Sequence, residues 1–181
     1  MKIRNPSLLC LALVAALVIP MFAASAGEGG GAVLPAPAGK DLWNYLTKVD
    51  YRESFSLWPG RGKLYKGTEP HGMLLTTYVN KTALEAIQEK KGTMPAGAIV
   101  VKENYKPDKK LAAITVMYKV ADYNPDHNDW FFTKHLPDGT LDKMPNGMAM
   151  EGKLPGCQGC HSARRDNDYL FTGSIAASSD E

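Results

Sequence analysis

Ala98-Ile99-Val100-Val101-Lys102-Glu103-Asn104-Tyr105-Lys106-Pro107-Asp108-Lys109-Lys110-Leu111-Ala112-Ala113-Ile114-Thr115-Val116-Met117-Tyr118-Lys119-Val120 reads as two strands and the turn between them. Both flanks are rich in β-branched and aromatic residues, which suit a pleated, half-buried surface. Lys106-Pro107-Asp108 places proline where a type I turn accepts its fixed φ. Side chains alternate along a strand, so Ile114, Val116, Tyr118 and Val120 share one face while Ala113, Thr115, Met117 and Lys119 take the other. Lys102 shares a face with Val100 and Asn104. The plain role of a lysine there is an edge residue whose stem covers apolar surface while its amine reaches water.

Working towards the N-terminus, Met73 to Asn80 is another strand, Leu64 to Gly67 a short one, and Glu69-Pro70-His71-Gly72 the turn between them. Asn80 or Thr82 can cap a short helix running through Leu84 and Ile87 to a stop at Gly92. Leu42, Leu46 and Val49 recur at helical spacing within Asp41 to Phe55, an amphipathic helix that ends before Trp58-Pro59-Gly60. Towards the C-terminus, Asp129 to His135 is an aromatic-rich strand closed by a turn at Pro137-Asp138-Gly139. Strands joined by short turns imply a mainly β (α+β) fold. The expected parts are an antiparallel sheet, an N-terminal helix, one short inserted helix, and a C-terminal helix carrying the motif described next.

That motif is Cys157-Gln158-Gly159-Cys160-His161, a c-type haem attachment pattern. Two cysteines on one helical turn can both reach the vinyl groups of a haem, and the adjacent histidine can ligate the iron. Cys157 and Cys160 would become thioethers to one haem c, and His161 its proximal metal ligand. A redox CxxC, a disulfide or half of a zinc site are the alternatives. Zinc needs four ligands, and no second Cys/His cluster is present. A thioredoxin-like motif opens a helix in a βαβ unit, whereas this one follows the Gly- and Pro-rich stretch Gly152 to Gly156.

Lys2 and Arg4 precede an apolar run from Leu8 to Ala23 that ends in Ala24-Ser25-Ala26, the pattern of a secretory signal peptide over residues 1–26. The run nearly reaches the ~20 residues of a spanning helix, but Pro20 and the small-residue site favour cleavage over an anchor. Cys10 would leave with the leader, so the haem claims both remaining cysteines and no structural disulfide is available. A periplasmic or secreted bacterial protein is expected, with no membrane association after cleavage. Residues 27–39, almost all Gly, Ala and Pro, read as a flexible linker, and 40–181 as one haem domain. Of 21 Lys and Arg, Lys2 and Arg4 go with the leader, leaving 19 against 19 Asp and Glu. That balance offers no basic footprint for nucleic acid.

Taken together these segments resemble the cytochrome P-460 family, which also includes the β-type cytochromes c′. The resemblance runs from about Gly67 to Thr172. It rests on Pro70 to Asn80 (PHGMLLTTYVN), Gly97 to Glu103 (GAIVVKE), Trp130-Phe131-Phe132, and the haem motif followed by Asn167-Asp168-Tyr169-Leu170-Phe171-Thr172. It implies a homodimer of mainly antiparallel β subunits, each with one c-type haem on the motif histidine and the opposite iron face open. In the P-460 enzymes, which oxidise hydroxylamine, a lysine in the strand matching GAIVVKE is also bonded to the porphyrin. Lys102 falls there and is the candidate catalytic residue. The β-type cytochromes c′ lack that bond and bind nitric oxide or carbon monoxide.

As a reactive amine, Lys102 would have to be desolvated, which lowers its pKa and frees the nucleophile. Two positions depart from the enzyme pattern: Ala163 stands where the enzymes have a carboxylate, and Leu75 where they have an arginine. Loss of a positioned base typically costs ~100-fold or more, so both changes favour an apolar pocket for a neutral gas.

A sixth iron ligand could come in principle from His71, His127 or His135, or from Met73, Met94, Met117, Met144, Met148 or Met150. The histidines read more simply as solvent-facing or locally satisfied, and the methionines as core or loop residues. Arg164-Arg165 either meets a haem propionate or forms an exposed charged turn. The leading expectation is an exported mono-haem cytochrome with an open distal site for a small nitrogen species, by gas binding or detoxification. Nitric oxide, carbon monoxide and hydroxylamine are the candidate ligands. The alternatives are a hydroxylamine-oxidising enzyme with a Lys102–haem bond, and a periplasmic electron carrier serving a redox partner protein, which would want a sixth protein ligand.

Overall fold

The computed structural model describes Met1, residues 33–68 and residues 70–177. The expected signal peptide from Lys2 onward, and the expected linker up to residue 32, lie outside the described residues. The strands are Ser56–Leu57 (β1), Tyr65–Lys66 (β2), Leu74–Val79 (β3), Ile99–Tyr105 (β4), Leu111–Lys119 (β5), Trp130–His135 (β6) and Glu151–Gly152 (β7). The α-helices are Gly39–Lys48 (α1), Tyr51–Ser54 (α2), Lys81–Gln88 (α3) and Pro155–His161 (α4). Among the described residues no helix is long and apolar enough to cross a membrane.

The strands form one antiparallel sheet in the order β1-β3-β4-β5-β6-β7, with β2 on the outer edge of β3 at the end away from β1. At its centre Lys102 faces Thr115 across the β4–β5 ladder, and Thr77 across β3–β4. The turn expected at Pro107 forms, with Lys109 N–H donating to Lys106 O at 2.9 Å. The inserted helix α3 is capped by Asn80 rather than Thr82. Asn80 Oδ1 accepts from Ala83 N–H and Ile99 N–H, both at 3.0 Å, and its amide donates to Gly97 O at 2.8 Å. One side chain thus ends β3, starts α3 and anchors the entry to β4.

Alternation along the strands divides the interior into two cores. Ile99, Val101, Ile114, Val116 and Tyr118 pack with Phe131 beneath Leu42 and Leu46 of α1. Val100, Met117, Trp130 and Phe132 face the opposite side, with α3, Tyr169 and Leu170. Because both faces are covered, β4 opens on the unbroken apolar run Ile99-Val100-Val101. Leu42 and Leu46 are fully buried, and each such side chain contributes about 1.5–3 kcal/mol of transfer free energy. Lys102 and Asn104 lie on the Val100 face, away from α1.

The helix expected over Asp41 to Phe55 breaks in two. Asp50 adopts a left-handed φ of 47°, which a short polar side chain tolerates, and α2 starts afresh after it. The break turns Tyr51 inward onto Glu103, whose carboxylate is buried on the α1 side of the sheet. Tyr51 OH (2.8 Å) and Arg52 Nε (2.6 Å) donate to Glu103 Oε1, and Tyr105 OH donates to Oε2 at 2.6 Å. A buried carboxylate needs such partners, and a continuous helix would not deliver them.

Candidate functional site

Pro155 suits the first turn of α4, where its missing N–H is no loss, and Leu154 is buried at the helix start. Cys157 is half-buried, Cys160 is exposed, and both are free thiols. His161 closes the helix and is 7 % exposed. Its Nδ1 lies 2.7 Å from the carbonyl oxygen of Tyr169, which can only accept, so Nδ1 carries the proton and Nε2 keeps its lone pair. Burial lowers the pKa of the ring, with the Lys102 amine adding to the effect. A neutral imidazole with its second nitrogen tied to a carbonyl is the form that ligates a metal. Phe132, Phe171 and His71 approach this ring edgewise, with centroids at 5.6, 5.4 and 5.9 Å.

The Tyr169 carbonyl is aimed by an uncommon turn. Asp168 and Tyr169 both have left-handed φ, 49° and 69°, which non-glycine residues adopt seldom and only where the surroundings hold them. The holding group is the Asp168 carboxylate, which is fully buried. It accepts from Lys119 Nζ at 2.8 and 3.0 Å, Asn128 Nδ2 at 2.8 Å and Met94 N–H at 2.7 Å. Trp130 Nε1 donates to the Asp168 carbonyl at 3.0 Å. Asn167 braces the next turn, donating to Leu170 O and Gly173 O and accepting from Ile175 N–H.

Two cavities flank His161. One of about 420 Å³ rests on the Val100 face of the sheet and is lined by Val100, Lys102, Asn104, Thr115, Met117, Phe132, Met150 and Cys157, among others. The other, about 210 Å³, is lined by Arg61, Tyr65, Leu75 and Cys160. Pro70, His71, Lys102, His161, Phe171 and Thr172 line both. These residues fit a haem: two free thiols, one bordering each cavity, a neutral imidazole with a bare nitrogen, and largely apolar walls. A bare metal ion finds no such place, since no group of three or more His, Cys, Asp or Glu among the described residues could hold one.

Lys102 stands at the junction of the two cavities, and burial pushes its amine down to about 8. The edge-residue role does not hold, because β4 is an inner strand flanked by β3 and β5. His71, expected to face solvent, also sits at the junction. Desolvation first, then the charges of Lys102 and His161, press its pKa down to about 4. His135 is satisfied locally, as expected, through Gly139 O (3.0 Å) and Thr133 Oγ1 (3.1 Å). His127 lies against the Tyr169 hydroxyl at 3.3 Å. Met73, Met117 and Met150 line the larger cavity; Met94, Met144 and Met148 line neither.

Arg164 and Arg165 cover Phe171 and Tyr169 from outside and line neither cavity. Arg61, which lines the smaller cavity with Lys66 and Lys102, donates to Thr172 O at 3.2 and 3.1 Å and escapes notice in a sequence because it follows a turn. Leu75 is buried in the wall of the smaller cavity, but Ala163 is exposed and lines neither. A family model described as Cytochrome P460 matches residues 50–172, which span β1 to the Asp168–Tyr169 turn and every cavity-lining residue named above. No curated protein matches the chain.

Proposed function

This chain belongs to the cytochrome P460 family, whose members are haem c cytochromes, and from that premise we propose that it holds one haem covalently through Cys157 and Cys160 and uses it to bind a small nitrogen species. Nitric oxide is the favoured ligand. The observation that carries this reading is the His161 ring: neutral, tied at Nδ1 to Tyr169 O, and opening into a mainly apolar cavity that Cys157 shares. The haem would supply an iron able to bind a small diatomic and to change between ferrous and ferric states. His161 would hold the group, Phe132, Met117 and Val100 would keep bulk water from the cavity, and Arg61 is one cation, beside the lysines of the walls, available to its carboxylates. An apolar enclosure favours a neutral gas over a charged ligand. Export rests on the leader pattern; a homodimer and a redox partner protein rest on the family resemblance alone.

One observation favours hydroxylamine oxidation as a second reading. Lys102 stands between the cavities with its amine shifted down to about 8, so a sizeable neutral fraction is available near neutral pH as a nucleophile or a proton acceptor. A haem-stained denaturing gel and the ferrous spectrum with and without carbon monoxide test both readings. The wild type is expected to keep its haem on the gel, and Cys157→Ala/Cys160→Ala to lose it. A c-type spectrum that shifts with carbon monoxide supports gas binding. A broad, strongly red-shifted Soret band that returns to an ordinary c-type band in Lys102→Ala would favour the cross-linked enzyme instead. Absence of haem from the wild type would sink both.

A further inference from the structure

Among the described residues, five cations and no carboxylate line the two cavities: Arg61, Lys66, Lys102, Lys106 and Lys134. The whole chain carries 21 Lys and Arg against 19 Asp and Glu, so the asymmetry belongs to this face and not to the composition. Glu69 lies outside the described residues. Asp142 holds Lys134 at 2.8 Å, but among the described residues no acid forms an ion pair with Arg61, Lys66 or Lys106, all three of which are exposed. The haem's own carboxylates would offset part of this charge and leave the rim positive. Such a field raises the local concentration of an oppositely charged partner.

Apolar surface lies within the same rim. Phe171 is 45 % exposed and Met73 47 %, Pro70 and Pro107 are exposed as well, and all four line the larger cavity. Phe171 also reaches inward. Its ring meets the His161 ring edge-on at 5.4 Å, and the Arg164 guanidinium lies over it at 5.8 Å. One side chain thus joins solvent to the residue that would ligate the haem. An exposed aromatic among cations, at the mouth of a redox cavity, has the make-up of a transient electron-transfer contact, which buries less than about 1,200 Å² and relies on charge for its encounter. A second copy of the chain does not suit this face, because a two-fold contact would set the same cations against one another.

We propose that the face around Phe171 docks an acidic electron-transfer protein, which accepts an electron from the haem through this contact. The inference rests on the haem reading above and adds to it where the partner sits and which charge it carries. One electron leaves the ferrous haem, the partner's one-electron centre is reduced by it, and ferric haem remains. No bond breaks and no proton moves.

The test uses the holoprotein, with plastocyanin, an acidic blue-copper protein, as the probe and mitochondrial cytochrome c, a basic carrier, as its counterpart. Stopped-flow oxidation of the ferrous holoprotein by copper(II) plastocyanin should slow about tenfold as salt rises from about 0.01 to 0.2 M, while oxidation by cytochrome c should not slow. Arg164→Glu, at a residue that lines neither cavity, should slow the plastocyanin reaction about threefold or more at low salt and leave the haem spectrum unchanged. Lys48→Glu changes the net charge equally, but at an exposed position of α1 on the other face of the sheet, and should have no such effect. Reduced plastocyanin, to which no electron can pass, should bind by calorimetry with an affinity that salt and Arg164→Glu both weaken. Equal effects of the two substitutions, or rates and binding that salt leaves unchanged, would overturn the inference. So would a dimer in sedimentation that Phe171→Asp separates, because a second copy then covers this face. If the wild type carries no haem and reduced plastocyanin still binds in the salt-dependent way, the acidic partner stands and the haem reading fails.

Discussion

Asp168 shows how a residue that need not touch the cofactor can decide whether the site exists. Its carboxylate is buried with Lys119, Asn128 and the Met94 amide as partners, and its backbone carries the left-handed turn that aims the Tyr169 carbonyl at His161. Breaking a buried ion pair leaves the other charge without compensation, which costs about 3–5 kcal/mol. Asp168→Ala is therefore expected to lower the urea-unfolding free energy by about that amount and to perturb the haem spectrum, because the tautomer of His161 is no longer fixed. Lys81→Ala, which removes an exposed i,i+4 pair with Glu85, should change stability by less than about 0.5 kcal/mol. Equal losses in the two variants would refute the role given to Asp168. The haem motif is legible in the sequence because its three ligating atoms lie within five residues and need only a helical turn. Asp168 is not, because Lys119 is 49 positions away and nothing local pairs them. Arg61 is hidden for the same reason, and His71, one of three histidines the sequence offers as ligands, is not singled out by it: a turn histidine and a turn arginine become site residues only when the sheet edge brings them to α4.

At the scale of elements, β3 to β6 follow from alternation and turn chemistry, which are local, and their ends shift by only a residue or two. The N-terminal helix is less legible. Leu42 and Leu46 set its face, but the break at Asp50 follows from the distant demand of Glu103 for hydrogen-bond donors. How α1 is fastened is equally non-local. Trp43 stacks on His135 at 4.9 Å, and its indole lies directly over Gly139, where an added Cβ would come within 2.1 Å of Nε1. The turn at Gly139 also has a φ of 87°. Gly139→Ala should destabilise the protein through both effects, the overpacking part amounting to about 1–3 kcal/mol. Gly147 has a similar φ of 83° with nothing within 4 Å of an added Cβ, so Gly147→Ala isolates the backbone part. Denaturant unfolding of the pair is expected to show the larger loss for Gly139→Ala, with the haem spectrum of both unchanged because α1 packs on the other face of the sheet. A smaller loss at Gly139 than at Gly147 would show that α1 is not fastened there.

For the whole molecule, the sheet separates two interiors of different character. The core beneath α1 is filled by the chain itself, from Leu42 and Leu46 through Val101 and Val116 to Phe131, all essentially buried. On the opposite face the chain encloses cavities of about 420 and 210 Å³ beside its second core. Protein interiors pack about as densely as organic crystals, so a lining left without partner atoms loses its dispersion contacts and has every reason to loosen. The polypeptide alone is thus complete on one side and incomplete on the other. Hydrogen exchange on Cys157→Ala/Cys160→Ala, purified without haem, should show this directly. Amides of β4, β5 and α1 are expected to keep most of their protection, because the shared ladder and the α1 core do not involve the cavity. Amides from α4 through the Asp168–Tyr169 turn, and those of the β2–β3 loop that carries His71, should exchange much faster than in the holoprotein, as segments of low local stability do. Uniform loss of protection over all strands would mean that the sheet itself depends on the haem and that the two cores are one cooperative unit. Unchanged protection around α4 would mean that the cavities are already stable when empty, and that the haem slots into a finished site rather than completing one face of the fold.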